Sequence, residues 1–135
     1  DGGFETGSMM GSGGFIVLDE DQCVVKHTYT LARFYRHESC GQCSPCREGT
    51  GWMEKILKNI DSGKGKMKDI DLLWDIQGKI EGNTICPLGD AAAWPVAASI
   101  RHFRDEFEWH VLHPEESQKR NYGLANYATP LEIVA

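Results

Sequence analysis

No run of apolar residues in this chain is long enough to cross a bilayer, which takes roughly 20 of them in a helix. The two candidates, Phe15-Ile16-Val17-Leu18 and the stretch from Ala91 to Ile100, are short, and the second contains Pro95. Basic residues are also scarce. Lys and Arg total 14 against 20 Asp and Glu, a formal net charge of -6, so the basic face that nucleic acid demands is missing. Lys64, Lys66 and Lys68 cluster, but acids interleave nearby and the group reads as a solvated face. No secretory signal opens the chain. No Walker or dinucleotide fingerprint is present, and no nucleophile–base–acid set stands out. The glycines of residues 1–14 precede a strand-like run instead of following one and opening a helix, so they read as turn or bulge glycines rather than a phosphate loop. The five histidines, His27, His37, His102, His110 and His113, contain no H-x3-H pair facing a second ligand set. His37 lies beside the cysteine loop, where it could tune a metal site; a cation satisfying carbonyls at a helix C-terminus is the plainer reading.

What is present suits one globular domain: 135 residues, 41% of them hydrophobic. A core of this size buries only about two thirds of the unfolded surface, so a metal site would be a useful staple. The chain starts with Asp1 rather than Met, and residues 15–18 read as a buried strand with nothing to pair with. Together these predict a piece of a longer protein whose sheet lies upstream. From Val24 onward the apolar residues recur at helical spacing. A first helix carries Val24, Val25, Thr28, Tyr29, Leu31, Ala32 and Tyr35 and ends near His37 or Ser39. A second, from about Arg47 to Ile60, points Trp52, Met53, Ile56, Leu57 and Ile60 inward. A third, from about Met67 to Glu81, does the same with Ile70, Leu73, Trp74, Ile76 and Ile80, and Gly82 stops it. A fourth starts at Ala91 or Trp94, where Pro95 falls in the first turn, and carries Val96, Ile100, Phe103 and Phe107 to His110. The fold class predicted is mainly α, a small four-helix bundle preceded by a strand. Residues 1–23 are expected to end an upstream β-containing domain, 24–112 to form the helical domain, and 113–135, without an amphipathic repeat, to form a C-terminal tail.

The chemistry sits in the cysteines. Five of them in a chain without a secretory signal do not suggest a disulfide scaffold, and three crowd into seven residues. The loop Glu38-Ser39-Cys40-Gly41-Gln42-Cys43-Ser44-Pro45-Cys46-Arg47-Glu48-Gly49 spaces its thiols C-x2-C-x2-C. Such a loop can wrap a cubane and direct three thiolates at three irons. Cys86, followed by Pro87, is available for the fourth, so Cys40, Cys43, Cys46 and Cys86 are the predicted ligands of one [4Fe–4S] cluster. Gly41 lets the backbone pass close to inorganic sulfide. The competing reading is a structural zinc–thiolate interaction module. Zinc sites usually present two separated C-x2-C knuckles, whereas here the split is three and one. A redox C-x-x-C pair would leave two cysteines unexplained. Cys23 has no cysteine within ligand spacing and reads as a buried or half-buried free thiol.

This loop, together with Ile85-Cys86-Pro87-Leu88-Gly89-Asp90-Ala91-Ala92-Ala93-Trp94-Pro95, closely resembles the C-terminal part of the flavin-containing, NADH-oxidising subunits of respiratory complex I, the NADH:quinone oxidoreductase. Related subunits occur in NAD-linked hydrogenases and formate dehydrogenases. The likeness runs from about Ser8 to Val111. It implies that the four family ligands fall on Cys40, Cys43, Cys46 and Cys86, and that Gly7 to Asp19 ends a β-grasp-like domain. It further implies an oxidoreductase in which NADH reduces FMN upstream, and single electrons then pass through the [4Fe–4S] cluster towards quinone. The family's FMN and NAD(H) motifs match nothing here, so those cofactors are expected in the parent and not in this piece, which alone should not oxidise NADH. The implied partners are the upstream flavin domain and the other iron–sulfur subunits of the peripheral arm, with no nucleic acid and no membrane span. The implied place is the cytoplasmic face of a bacterial inner membrane, or the mitochondrial matrix side.

Overall fold

The structure, a computed structural model, describes residues 11–119. Expectations for residues 1–10 and 120–135, including most of the C-terminal tail, lie outside it. Five helices follow one another among the described residues: α1 (Val24–Glu38), α2 (Ser44–Asp61), α3 (Met67–Ile80), α4 (Leu88–Leu112) and α5 (Pro114–Lys119). No helix among them is long and apolar enough to cross a membrane.

The first four pack antiparallel, each against the next, with α4 closing the ring on α1. Their buried faces supply one core: Val25 and Ala32 of α1, Met53, Leu57 and Ile60 of α2, Ile70, Leu73, Ile76 and Ile80 of α3, and Ala92, Ala93, Val96, Ile100 and Phe107 of α4. Each helix has a local reason for its ends. Ser39 leaves helical geometry (φ -64°, ψ 123°) while its N–H still donates to the Tyr35 carbonyl at 3.0 Å. α2 starts at Ser44, earlier than the expected Arg47, because Pro45 suits the first turn. The Asp69 carboxylate accepts the Lys66 N–H at 2.8 Å at the start of α3, and Gly82 (φ +72°) turns the chain away after its end.

Several expectations need correcting. Residues 15–18 form no strand: Phe15 is 89% exposed and no partner strand exists among the described residues. A strand is held by its neighbour's hydrogen bonds, and this run has none to use. Pro95 lies well inside α4, not in its first turn. α4 begins upstream at Leu88 because its start is anchored from outside: the Gly82 N–H donates to Asp90 at 2.8 Å and the Trp94 indole to Glu81 at 2.7 Å. Those contacts offset the one ladder bond that Pro95 removes. Trp52, Trp74 and Phe103 are exposed rather than inward. Trp74 lies beneath the Arg101 guanidinium, 5.8 Å from its ring centroid. Phe103 sits at a break in α4 (φ -133°, ψ 32°), which rotates it off the stripe that joins Ile100 to Phe107. After Leu112, where no repeat was legible, α5 forms, with the buried Ser117 hydroxyl 3.1 and 2.9 Å from the His110 and His113 carbonyl oxygens.

The end of the bundle farthest from the cysteine loop is fastened by polar contacts. Lys26 pairs with Asp61 at 3.0 Å, the Val24 N–H donates to Glu106 at 3.1 Å, and the buried Cys23 sulfur lies 3.1 Å from His110 Nε2. Burial above all, and then the negative charges of Asp61 and Glu106, hold the Cys23 thiol above its ordinary value of 9.0, against the lowering effect of the Lys26 and Val25 N–H groups. The folded state therefore keeps the Cys23 proton at a pH where the unfolded chain has lost it. That stabilising difference is whole below about pH 9 and disappears as pH rises through the folded value. In urea melts, wild type should lose stability above about pH 9 more steeply than Cys23→Ala; parallel alkaline limbs would show that this thiol is not the titrating group.

Candidate metal centre

The loop between α1 and α2 carries Cys40 and Cys43, and the first turn of α2 carries Cys46. Gly41 holds φ +81°, a left-handed conformation that side chains rarely adopt. Arg47, one turn into α2, folds back over the loop: Nη1 donates to the Gly41 carbonyl at 2.7 Å, Nη2 to the Ser44 hydroxyl at 3.3 Å, and Nε to the Glu48 carboxylate at 3.1 Å. Cys46 is only 6% exposed; its sulfur lies 3.2 Å from the Ser39 hydroxyl, and its carbonyl accepts the Thr50 hydroxyl at 2.7 Å. Cys43 is half-buried and Cys40 exposed.

The fourth candidate, Cys86, is exposed in the loop between α3 and α4. α3 returns to the level at which α2 begins, so closely that a Cβ on Gly49 would fall 2.6 Å from Ile80 Cδ1. This brings the two cysteine-bearing loops together. The Ile85 N–H donates to the Cys43 sulfur at 3.4 Å, while the Ile85 side chain is 87% exposed. The loop's shape comes from its own bonds. The Thr84 hydroxyl donates to the Cys86 carbonyl at 3.0 Å, and the Asn83 amide donates to the Lys79 and Glu81 carbonyls at 3.2 and 3.0 Å. Gly89 lets Thr84 rest on the first turn of α4; a Cβ there would lie 2.9 Å from the Thr84 Cβ and closer still to its outer atoms.

Cys23 stands at the opposite end of α1, a helix of 15 residues and therefore about 22 Å long at 1.5 Å per residue. His37 pairs with Glu38 at 2.9 Å rather than reaching the thiols. Among the described residues no three His, Cys, Asp or Glu side chains are grouped tightly enough to hold a single ion. A structural zinc and a cubane would each take four thiolates, so the number of cysteines does not separate them. The donor set also suits an iron–sulfur cluster. It is all sulfur, and two of its members, Cys43 and Cys46, already have a hydrogen-bond partner.

A family model described as the NADH-ubiquinone oxidoreductase-F iron-sulfur binding region matches residues 26–110, which include all four of these cysteines and exclude Cys23. The chain belongs to the NADH-ubiquinone oxidoreductase-F iron-sulfur binding family. It is 49% identical over 108 residues to one of the NADH-quinone oxidoreductase F proteins of Rhizobium meliloti, covering 80% of this chain and 25% of that protein. It is 47% identical over 119 residues to the NADH-quinone oxidoreductase F protein of Rickettsia typhi, covering 88% and 26%. Among solved structures, an NAD+-reducing [NiFe]-hydrogenase in its H2-reduced state superposes with a TM-score of 0.67 at 34% identity, over 70% of this chain and 16% of that one. The chain spans about a quarter of the length of the curated relatives it matches. Membership of this iron–sulfur binding family leaves the zinc module without support.

Sequence reasoning missed Ser39, Arg47, Thr84 and the Ile85 N–H. The adjacency of Ser39 and Arg47 to ligand cysteines was a usable signal; nothing in the sequence pairs Ile85 with Cys43. The Thr84 contact generates a test. Gly89→Ala should destabilise the chain by about 1–3 kcal/mol through overpacking and lower the iron retained after reconstitution. Gly78→Ala, where a Cβ meets nothing within 4 Å, should leave iron content unchanged. Equal iron in both variants would show that the Gly89 contact does not place Cys86.

Proposed function

We propose that this chain is the electron-relay part of an NADH:quinone oxidoreductase, holding one [4Fe–4S] cluster on Cys40, Cys43, Cys46 and Cys86. The observation that carries this reading is the meeting of the two loops at Cys43 and Ile85, in a chain of this family. In the parent protein it accepts single electrons from FMN that NADH has reduced, and passes them along the iron–sulfur chain towards quinone. Residues 24–112 are the cluster-binding domain, residues 1–23 the end of an upstream β-containing domain, and residues 113–135 a tail. The flavin and NAD(H) sites belong to that upstream part. Its other partners are the neighbouring iron–sulfur subunits of a peripheral arm, on the cytoplasmic side of a bacterial membrane or the matrix side of a mitochondrial one.

When bound, the cluster supplies a one-electron couple. The chain's residues make that couple usable. Cys40, Cys43 and Cys86 from two loops and Cys46 from the first turn of α2 would fix its position relative to the bundle. The Ile85 N–H at the Cys43 sulfur and the Ser39 hydroxyl at the Cys46 sulfur offer hydrogen bonds to negative ligands. Cys46 is shielded from water, whereas Cys40 and Cys86 face outward and leave one side open to a donor or acceptor.

Two experiments test the proposal. After anaerobic reconstitution, Ser substitutions at Cys40, Cys43, Cys46 or Cys86 should each lower iron and acid-labile sulfide, while Cys23→Ser keeps both. Full retention by Cys86→Ser would remove it from the ligand set.

The reconstituted chain should also bleach with dithionite and stay coloured with NADH. A hydride carries two electrons, and the flavin that divides them is a cofactor held elsewhere in the parent. Rapid, saturable bleaching by NADH alone would require a nucleotide site within these 135 residues.

A further inference from the structure

We infer that Ser39 raises the reduction potential of the cluster by donating a hydrogen bond from its hydroxyl to the Cys46 sulfur. It is a positioning residue that acts through Cys46, and the inference rests on the proposed ligation by that cysteine.

Ligation of Cys46 would fix the direction of the bond, and the geometry leaves the Ser39 hydrogen free for it. Ser39 caps α1, where its own N–H is tied to the Tyr35 carbonyl at 3.0 Å, so its backbone is held by the last helical turn. Its Oγ lies 3.2 Å from the Cys46 sulfur and 3.4 Å from the Gly41 nitrogen. A backbone N–H can only donate, so Gly41 uses one of the hydroxyl's lone pairs and leaves its hydrogen uncommitted. In the free thiol either partner could donate. A metal-bound thiolate has no hydrogen, so there Ser39 must be the donor. Cys46 is 6% exposed, and in such a place water competes poorly for the sulfur and a hydrogen bond gains electrostatic strength. The Thr50 hydroxyl donates to the Cys46 carbonyl at 2.7 Å, which helps hold the backbone that carries the sulfur.

A hydrogen bond donated to a ligand sulfur stabilises the more negative, reduced state and so raises the potential. No electron or atom is transferred by Ser39 itself. The hydroxyl is neutral and remains protonated throughout, so the effect should persist at high ionic strength.

The test compares Ser39→Thr with Ser39→Val, side chains of nearly the same shape that differ by the hydroxyl, with Ser39→Ala alongside. Each chain is reconstituted, its iron and sulfide are counted, and its cluster is titrated potentiometrically with detection by electron paramagnetic resonance. Ser39→Thr should titrate with wild type. Ser39→Val and Ser39→Ala should titrate at more negative potential with full iron content, and their iron–thiolate stretching bands in resonance Raman spectra should rise in frequency. Unchanged potentials in the valine and alanine variants would overturn the inference. So would failure of those two to hold a cluster while threonine does, since the hydroxyl would then serve assembly. A wild-type chain that takes up no iron would instead count against the proposed ligation, which keeps the two claims separable.

Discussion

The antiparallel register of the helices is the constraint on which the cysteine end depends. α1 and α3 must finish at the level where α2 and α4 begin, or the two cysteine-bearing loops would not meet. The close fit of Gly49 against Ile80 ties the start of α2 to the end of α3. At the opposite end, Lys26–Asp61, Val24–Glu106 and Cys23–His110 tie the start of α1 to the ends of α2 and α4. Helices fastened at one end and packed along their length have little freedom to slide at the other. The loops inherit a position that neither could define alone.

The helices were legible because burial of one face imposes a 3.6-residue period, and all four expected segments formed. Which large side chains stay outside was not. Trp52 and Trp74 are apolar enough to extend a stripe, yet the sequence does not reveal how wide the neighbouring helix makes the buried strip. Phe103 fell out of register because α4 breaks there, and a break without proline or glycine leaves no mark in the sequence. Pro95 was misplaced for a related reason: the start of α4 is fixed by Asp90 and Trp94 reaching to the preceding loop, a tertiary effect that outweighs local propensity. The run at residues 15–18 has strand composition, but a strand also needs a partner.

The candidate ligands were legible for a different reason. Thiols are rare, and three of them at C-x2-C-x2-C spacing stand out whatever the fold around them. The groups around them were harder to see. Arg47 binds the loop through the Gly41 carbonyl, and Thr84 is placed by the absence of a side chain at Gly89. Contacts to backbone atoms and to missing side chains carry no periodicity and no charge pattern. They emerge only when the chain is folded.

The contact between Ile85 and Cys43 has a consequence for how this site can change over time. The donor is a main-chain N–H, and the side chain at that position points away into solvent. Mutation at residue 85 can therefore replace isoleucine with a larger, smaller or polar residue without touching the bond. Proline alone would delete it. The outward side chain is thus free to drift with whatever lies against it, while the sulfur keeps its donor.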